Sequence, residues 1–167
     1  MIQRKRVTLP LPSPAFILDV HLGKLARYLR LLGFDVAYAN CWDDPYIVDL
    51  AQKENRIILT RDRGLLQRKA AVSGYLVQNL SPQAQLVEIV SYFHLRPYIQ
   101  PFSLCPLCGT PIEQVPKESV AALVPEIVSQ RYRRFLRCPS CGKIYWRGDH
   151  FRNISELVRL ARKKVYS

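Results

Sequence analysis

Four cysteines in two matching pairs constrain the fold of this chain most strongly. Each pair is followed by glycine and reads Cys-x-x-Cys-Gly, over residues 105–109 and 138–142. This spacing lets a tight turn point both thiolates at one ion, and the glycine permits the backbone to curl behind it. Two such knuckles provide the four sulfurs of a closed tetrahedral zinc site. The pattern predicts a structural zinc ribbon with the ligands Cys105, Cys108, Cys138 and Cys141.

Two other uses of paired cysteines compete with zinc. Disulfides are disfavoured in a reducing cell, and a redox Cys-x-x-Cys is the second alternative. The doubling of the pair favours zinc over both. The 29 residues between the knuckles exceed the usual gap of a ribbon, so we expect an inserted excursion over residues 115–130. The fifth cysteine, Cys41, is predicted to be a small buried apolar residue.

The part of the chain before the cysteines alternates short apolar runs with helical spacing. The apolar runs predict strands over residues 16–18, 35–40, 56–60 and 75–78. Helical patterns cover 22–32, a segment that opens at Pro45, 64–70 and 82–95, and Gly33 stands where a C-terminal cap belongs. Strands that alternate with helices in this way predict an α/β fold, a doubly wound and largely parallel sheet.

The same patterns divide the chain into four segments. We expect a basic, proline-interrupted arm over residues 1–14, an α/β domain over 15–100, the ribbon over 101–150 and a basic C-terminal segment over 151–167. In the last segment a helix is predicted from Ser155, which would cap it, to Lys164. No apolar run approaches the roughly 20 residues of a membrane span. We therefore expect a cytoplasmic protein that does not cross a membrane.

The charge of the chain is strongly positive, with a formal net value of +12. There are 13 basic and 8 acidic residues up to residue 100, and 12 and 5 beyond it, so both parts share the excess. Such a chain attracts polyanions, of which nucleic acid is the commonest in a cell. The alternative is that the charge only maintains solubility.

Three aspartates follow three successive predicted strands: Asp19, Asp44 and Asp62. Each has an ordinary local explanation, since Asp19 and Asp62 suit turns and Asp44, before Pro45, suits a helix N-cap. Taken together they stand at the carboxyl ends of parallel strands, the edge where doubly wound sheets bind ligands. Converging carboxylates need a cation between them, and Mg²⁺ or Mn²⁺ prefers oxygen ligands. The pattern predicts a catalytic Mg²⁺ or Mn²⁺ site that acts on a phosphodiester.

Basic residues accompany these aspartates. Three recur along the first helix at intervals of three residues, and two more flank Asp62. They are either phosphate contacts for a polyanionic substrate or solvated side chains that pair with the aspartates. The candidate substrate contacts are Lys24, Arg27, Arg30, Arg61 and Arg63.

Several of these segments, taken together, resemble a known family. Residues 16–33, 56–66, the two knuckles and 141–150 together resemble the Mut-seven C-terminal RNase family, over about residues 15–155. The resemblance implies a PIN-like nuclease domain with three α/β/α layers fused to a zinc ribbon. It also implies metal-dependent cleavage of RNA with acidic ligands at Asp19, Asp44 and Asp62.

Two points stay open when the acidic positions of the family are assigned to this sequence. Asp43 and Asp49 are the alternatives to Asp44. Many PIN nucleases carry a fourth acidic residue near the third, where this chain has Arg63 and Gly64. Asn79, at the end of the fourth predicted strand, is the candidate neutral substitute.

Three functions are compatible with these observations. The first is a Mg²⁺- or Mn²⁺-dependent ribonuclease whose ribbon and basic surfaces engage RNA. The second is a non-catalytic RNA-binding or assembly module with a vestigial acidic site. The third, a regulatory domain that receives a phosphoryl group on an aspartate, requires neither a ribbon nor so many arginines and ranks last. The sequence does not decide between a monomer, a homodimer and a complex with another protein.

Overall fold

The computed structural model describes residues 14–68 and 73–163, without the side chains of 149–154. The predicted N-terminal arm lies outside this part of the chain, apart from its last residue. No helix in the described part is both long enough and apolar enough to cross a membrane.

A four-stranded parallel sheet forms the centre of the first domain, in the order β2-β1-β3-β4. Phe16 is in register with Val36 on one side and with Ile57 on the other. Neighbouring parallel strands need a crossover connection, and the intervening helices provide it. The strands are β1 (Phe16–Leu18), β2 (Val36–Ala37), β3 (Ile57–Thr60) and β4 (Gly74–Leu76).

Helices cover both faces of this sheet because the apolar strand residues point alternately to the two sides. Phe16 and Leu18 belong to one buried cluster, whereas Ile17 between them belongs to the other. The first cluster includes α1 and α4, and the second includes α2 and α3. The predicted α/β fold is confirmed as three layers. The helices are α1 (Gly23–Leu31), α2 (Asp44–Lys53), α3 (Arg63–Gln67) and α4 (Pro82–Tyr92), with short 3₁₀ helices at Val20–Leu22 and Arg96–Tyr98.

The ribbon is a separate antiparallel sheet in the order β5-β6-β7. Phe135 faces Val115 on one side and Trp146 on the other. Two short 3₁₀ helices and one α-helix occupy the chain between the first two of these strands, where we expected the excursion. The elements are β5 (Glu113–Val115), 3₁₀ helices at Lys117–Ser119 and Ala121–Leu123, α5 (Glu126–Arg131), β6 (Phe135–Arg137) and β7 (Ile144–Trp146).

The last helix, α6 (Asp149–Arg162), differs from its prediction. It begins six residues before Ser155, and Gly148 rather than the serine precedes it. A capping signal contributes only about 1 kcal/mol, so packing along the helix outweighs it. Leu157 and Ala161 are buried in the same cluster as the residues of α1 and α4. The C-terminal helix thus returns to the first domain and completes its core.

The ribbon is attached at the end of α1. Gly33 follows that helix with φ of +92°, which confirms the predicted cap, and a Cβ there would meet the Gln100 carbonyl oxygen at 2.6 Å. The amides of Gln100 and Phe102 donate to the carbonyls of Leu32 and Leu31, at 2.8 and 3.0 Å. These bonds satisfy carbonyls that the end of a helix leaves free. The linker to the ribbon is therefore an ordered continuation of the helix terminus.

Candidate metal centre and acidic edge

The four predicted zinc ligands come together in the ribbon. Their sulfur atoms all lie within 4.8 Å of one another. Cys105 Sγ is 3.6 Å from Cys141 Sγ, and Cys108 Sγ is 3.4 Å from Cys138 Sγ. Zn–S bonds of about 2.3 Å place tetrahedral sulfurs about 3.8 Å apart. The donor set fits a structural zinc ion, which these four thiolates would hold with no position left for water.

The two knuckles have the same backbone geometry. The Gly109 amide donates to the Cys105 carbonyl at 2.8 Å, and the Gly142 amide donates to the Cys138 carbonyl at 3.0 Å. Both glycines have positive φ, +81° and +72°. An L side chain is disfavoured in this region, which explains the glycine after each pair.

The thiols of the cluster do not titrate independently. Burial opposes ionisation of Cys108, but hydrogen bonding with Thr110 and with neighbouring cysteines outweighs it and lowers the pKa to about 6. At Cys141 a backbone hydrogen bond with Lys143 lowers the pKa. Burial and hydrogen bonds with the neighbouring sulfurs outweigh it and raise the pKa to about 12. Sulfurs this close cannot all become negative without a cation among them. A bound cation would relieve this mutual repulsion of the thiolates.

Tyr145 is a functional residue that the sequence analysis missed. Its phenol oxygen lies 3.1 Å from Cys105 Sγ, so the hydroxyl is placed to donate to the thiolate. Burial first, and then this contact, raise the pKa of Tyr145 above its usual value. The signal in the sequence is alternation, because Tyr145 stands between Ile144 and Trp146 in β7 and points to the opposite side. Donors of this kind orient metal ligands and adjust their basicity.

Arg30 joins the ribbon to the first domain. Its side chain is 4 % exposed, and it donates to the Val36 carbonyl through Nε at 3.0 Å and Nη2 at 2.9 Å. Its Nη1 donates to the Leu107 carbonyl inside the first knuckle. Burial lowers the pKa of Arg30, against the effect of the nearby Cys108 and Cys105 sulfurs. Arg30 was predicted to contact substrate phosphates together with Lys24 and Arg27, but the structure buries it against the first knuckle, whereas those two residues are exposed.

The acidic edge is organised around Thr60, which the sequence analysis also missed. The Thr60 hydroxyl donates to Asp19 Oδ2 at 2.8 Å, and its oxygen accepts the Asp62 amide at 2.9 Å. Asp62 in turn caps α3, with Oδ1 accepting from the Gly64 amide at 2.7 Å. Thr60 ends β3, two residues before Asp62, and this position at a strand end is the sequence feature that could have indicated its role. The carboxyl ends of β1 and β3 are therefore joined by one hydrogen-bonded chain.

Asp19 has an unusual environment for an aspartate. Its side chain is 5 % exposed, and the Thr60 hydroxyl is its hydrogen-bond donor. Among the side chains that the structure describes, no cationic one forms an ion pair with it. A buried carboxylate without a charged partner is costly, and bound cations commonly satisfy such groups.

The third predicted ligand, Asp44, is engaged elsewhere. Its Oδ2 is 3.2 Å from Arg68 Nη2. Asp43, not Asp44, is the N-cap of α2, and its Oδ1 accepts from the Tyr46 amide at 2.9 Å. The sequence reading placed the cap one residue late because Pro45 stands at the second helical position rather than the first.

The three aspartates are not assembled as the cysteines are. Within the part of the chain that the structure describes, the four cysteines form the one group of three or more candidate ligands near enough to share a metal ion. Asp19 and Asp62 share Thr60, whereas Asp44 is held by Arg68. The acidic edge therefore consists of two linked residues, Asp19 and Asp62, and of a third carboxylate, Asp44, that is paired with Arg68.

The end of β4 carries an acid that the sequence analysis did not single out. Glu88 of α4 accepts from the amides of Gln78 and Asn79, at 2.8 and 3.0 Å, and from the Tyr75 hydroxyl at 2.9 Å. The Asn79 side chain donates to it as well, at 2.8 Å. These bonds make Glu88 an anchor for the turn after β4. The Asn79 amide nitrogen, predicted as a neutral substitute for a fourth acid, is directed to that anchor.

The remaining predicted site residues are at the surface. Lys24 and Arg27 are exposed on α1, and Arg61 and Arg63 are exposed on either side of Asp62. Cys41, predicted to be buried, is exposed. His21 is also exposed, close to Asp19 in the 3₁₀ helix.

The fold and the site together define an α/β domain that carries carboxylates at the carboxyl edge of its parallel sheet and is followed by a cysteine ribbon. The sequence model of the Mut7-C RNAse domain matches residues 14–158, and the chain belongs to this family. Comparison with curated proteins and with solved structures gave no match. The family assigns the chain a nuclease-type domain and a function that involves RNA.

Proposed function

We propose that this protein is a divalent-cation-dependent ribonuclease that hydrolyses RNA phosphodiester bonds at the edge formed by Asp19 and Asp62. The observation that carries the proposal is the buried Asp19 carboxylate, which lacks a cationic partner among the described residues and is linked through Thr60 to Asp62. Such an arrangement suits a cation in contact with substrate, at the edge where α/β sheets bind their ligands.

The donor set fits Mg²⁺ or Mn²⁺ with two carboxylates rather than three. Mg²⁺ usually keeps several waters and binds through one or two carboxylates together with substrate phosphates. Asp19 and Asp62 would hold the ion, and Asp44 would join them when it leaves Arg68. When bound, the ion supplies activation of water and neutralisation of charge on the phosphoryl oxygen.

The protein's own residues have separate roles in this proposal. The Thr60 hydroxyl orients Asp19, and the Gly64 amide fixes Asp62. The exposed cations Lys24, Arg27, Arg61 and Arg63 contact the phosphates of the RNA, which is where a polyanion gains most of its affinity. The zinc ribbon is structural and contributes RNA-binding surface.

The test compares Asp19→Asn and Asp62→Asn with Asp35→Asn, an exposed aspartate just before β2 that pairs with Arg56. Each protein is incubated with single-stranded and structured RNAs and Mg²⁺ or Mn²⁺, and product ends are mapped. The first two variants should lose cleavage by roughly 10²–10⁴-fold, with RNA binding retained, because they remove ligands rather than phosphate contacts. The control should cleave like the wild type. Normal turnover in either edge variant would reject the assignment.

A non-catalytic RNA-binding or assembly module is the second candidate. The ion pair between Asp44 and Arg68 favours it, since an unused ligand can be held in this way. It predicts RNA affinity that is independent of divalent ions and no cleavage with any of them. The same incubation decides between the two functions.

A further inference from the structure

A cavity of about 640 Å³ lies between the ribbon and the end of α1, away from the acidic edge. The linker forms one wall with Phe102 and Leu104, and the β6–β7 hairpin forms the other with Phe135, Ile144 and Trp146. Leu31 closes it at the end of α1. The walls are therefore mainly apolar, with aromatic residues on both sides.

Trp146 is the principal aromatic surface of this groove. It is half-buried, and its ring centroid lies 6.5 Å from that of the buried Phe135 behind it. A Cβ on Gly148 would meet the indole nitrogen at 2.7 Å, so the turn after β7 fits closely against the ring. A partly exposed aromatic ring is a surface on which a planar base can stack.

The rim of the groove is positive. Arg134, Lys143 and Arg147 line it, and all three are exposed. Residues 127–148 contain six basic residues and no acidic one. Aromatic walls beneath such a rim match the two parts of a nucleotide, a flat base and a charged phosphate.

We propose that this groove binds a segment of single-stranded RNA, with a base stacked on Trp146 and phosphates on Arg134 and Lys143. The inference rests on the proposed function, since it names where the substrate is held outside the acidic edge. Two other occupants are disfavoured by charge. Residues 1–13 carry Arg4, Lys5 and Arg6 with no acidic residue, and a second copy of the chain would bring a net +12.

The position of the groove defines the form of the substrate. The 3₁₀ helix that follows Asp19 leads into α1, whose last residue, Leu31, lines the groove. Nine helical residues span about 14 Å. An RNA that occupies both the acidic edge and the groove is thus an oligonucleotide, and an unpaired one, because bases in a duplex are not free to stack on the protein.

The first measurement uses the two tryptophans of the chain, Trp42 and Trp146. In a Trp42→Phe protein, Trp146 is the sole source of indole fluorescence. An oligouridine titrated without added divalent ion should quench this emission, because stacking places the base directly on the ring. A duplex RNA and an acidic polyglutamate serve as probes of the other chemistries. Quenching by polyglutamate at equal charge, or by the duplex as strongly as by oligouridine, would overturn the proposal.

The second measurement is the affinity of variants for the same oligouridine. Trp146→Leu should weaken binding at least about fivefold, the lower bound expected for one stacked base. Arg134→Gln and Lys143→Gln should each lower the salt slope of log affinity by about 0.7, the value for one phosphate contact on a single strand. Arg133→Gln is the matched control, since Arg133 is exposed beside Arg134 but does not line the groove.

Zinc content and melting temperature are measured for each variant, and the two glutamine variants preserve the test if Trp146→Leu does not fold. Wild-type affinity and salt slope in all three groove variants would overturn the proposal. Weaker binding by these variants in a protein that cleaves no RNA would instead reject the ribonuclease and retain the groove. Normal binding by the variants in an active nuclease would reject the groove alone.

Discussion

The ribbon and the acidic edge each draw candidate metal ligands from distant parts of the chain, yet they differ in how far these ligands converge. The four cysteine sulfurs lie within 4.8 Å of one another. The three aspartates instead use their oxygens for a hydroxyl, a backbone amide and an arginine. The ribbon is arranged so that the ion completes it, whereas the acidic edge is already partly satisfied by the protein.

The difference follows from how each ligand is positioned. Within a knuckle, two sulfurs are set by one turn, so the fold has only to bring two turns together. At the acidic edge each aspartate follows a different strand, and its side chain is available to local donors. Structural sites contribute directly to folding stability, while a catalytic site must exchange its ligands with substrate and solvent. The two sites therefore differ in the protein without metal: the ligands of the structural site already lie together, whereas those of the proposed catalytic site do not.

Loss of a zinc ligand should destabilise the ribbon, and this is the largest effect that we expect. Cys138→Ser is expected to lose the ion and several kcal/mol of stability, since structural zinc contributes roughly 10–16 kcal/mol in isolated zinc-finger peptides. Zinc analysis and thermal unfolding measure this. Cys41→Ser is the matched control, because Cys41 is exposed and lies outside the cluster. A full equivalent of zinc with an unchanged melting temperature in Cys138→Ser would refute the structural role.

Replacement of Arg30 should loosen the junction between the two regions. Arg30→Met removes three hydrogen bonds to the carbonyls of Val36 and Leu107. The loss of charged hydrogen bonds, partly offset by relief of a buried charge, should cost about 2 kcal/mol in chemical denaturation. Arg27→Met on the exposed side of the same helix should change stability by less than about 0.5 kcal/mol. Equal stability of the two variants would show that Arg30 does not hold the junction.

Removal of the Thr60 hydroxyl should sharpen the comparison at the acidic edge. Thr60→Val keeps the shape but breaks the link between Asp19 and Asp62, at a cost of about 1–2 kcal/mol. RNA cleavage should fall roughly tenfold, one factor of ten for each 1.4 kcal/mol of lost positioning. Thr60→Ser retains a hydroxyl and should restore cleavage. Thr60→Val with wild-type turnover would remove Thr60 from the proposed mechanism.

Release of Asp44 should have the smallest effect on stability. Arg68→Gln breaks an exposed ion pair, which is worth about 0.2–1 kcal/mol. If Asp44 is held in reserve for the ion, half-maximal cleavage should then require less Mn²⁺. Arg159→Gln breaks the exposed Arg159–Glu156 pair of α6 and controls for the charge change. Identical Mn²⁺ dependence of both variants would exclude Asp44 from the metal site.

Local patterns predicted the fold well where they agree with the packing. The apolar run over Ile57–Thr60, the glycine after α1 and the knuckle glycines each match the structure. The start of α6 was predicted wrongly, because a serine cap is a weaker influence than burial of Leu157 and Ala161 in a distant core. Asp44 as N-cap failed for a related reason, since one residue of offset lies below the resolution of a sequence pattern.

The sequence could not foresee contacts between residues far apart in the chain. Arg30 follows a helical repeat with Lys24 and Arg27, and nothing local indicates that it meets Leu107. Thr60 and Tyr145 are ordinary strand residues until the fold places Asp19 and Cys105 beside their hydroxyls.

The sequence by itself determined the class of this protein: a parallel α/β domain with aspartates at strand ends, a cysteine ribbon and a positive charge throughout. These properties reside in spacing and periodicity, which the chain carries before it folds. Only the tertiary structure decided which ligands meet, which arginine is buried and where an aromatic groove opens. Those outcomes depend on the distances that packing sets between residues remote in sequence, and a linear pattern does not encode such distances locally.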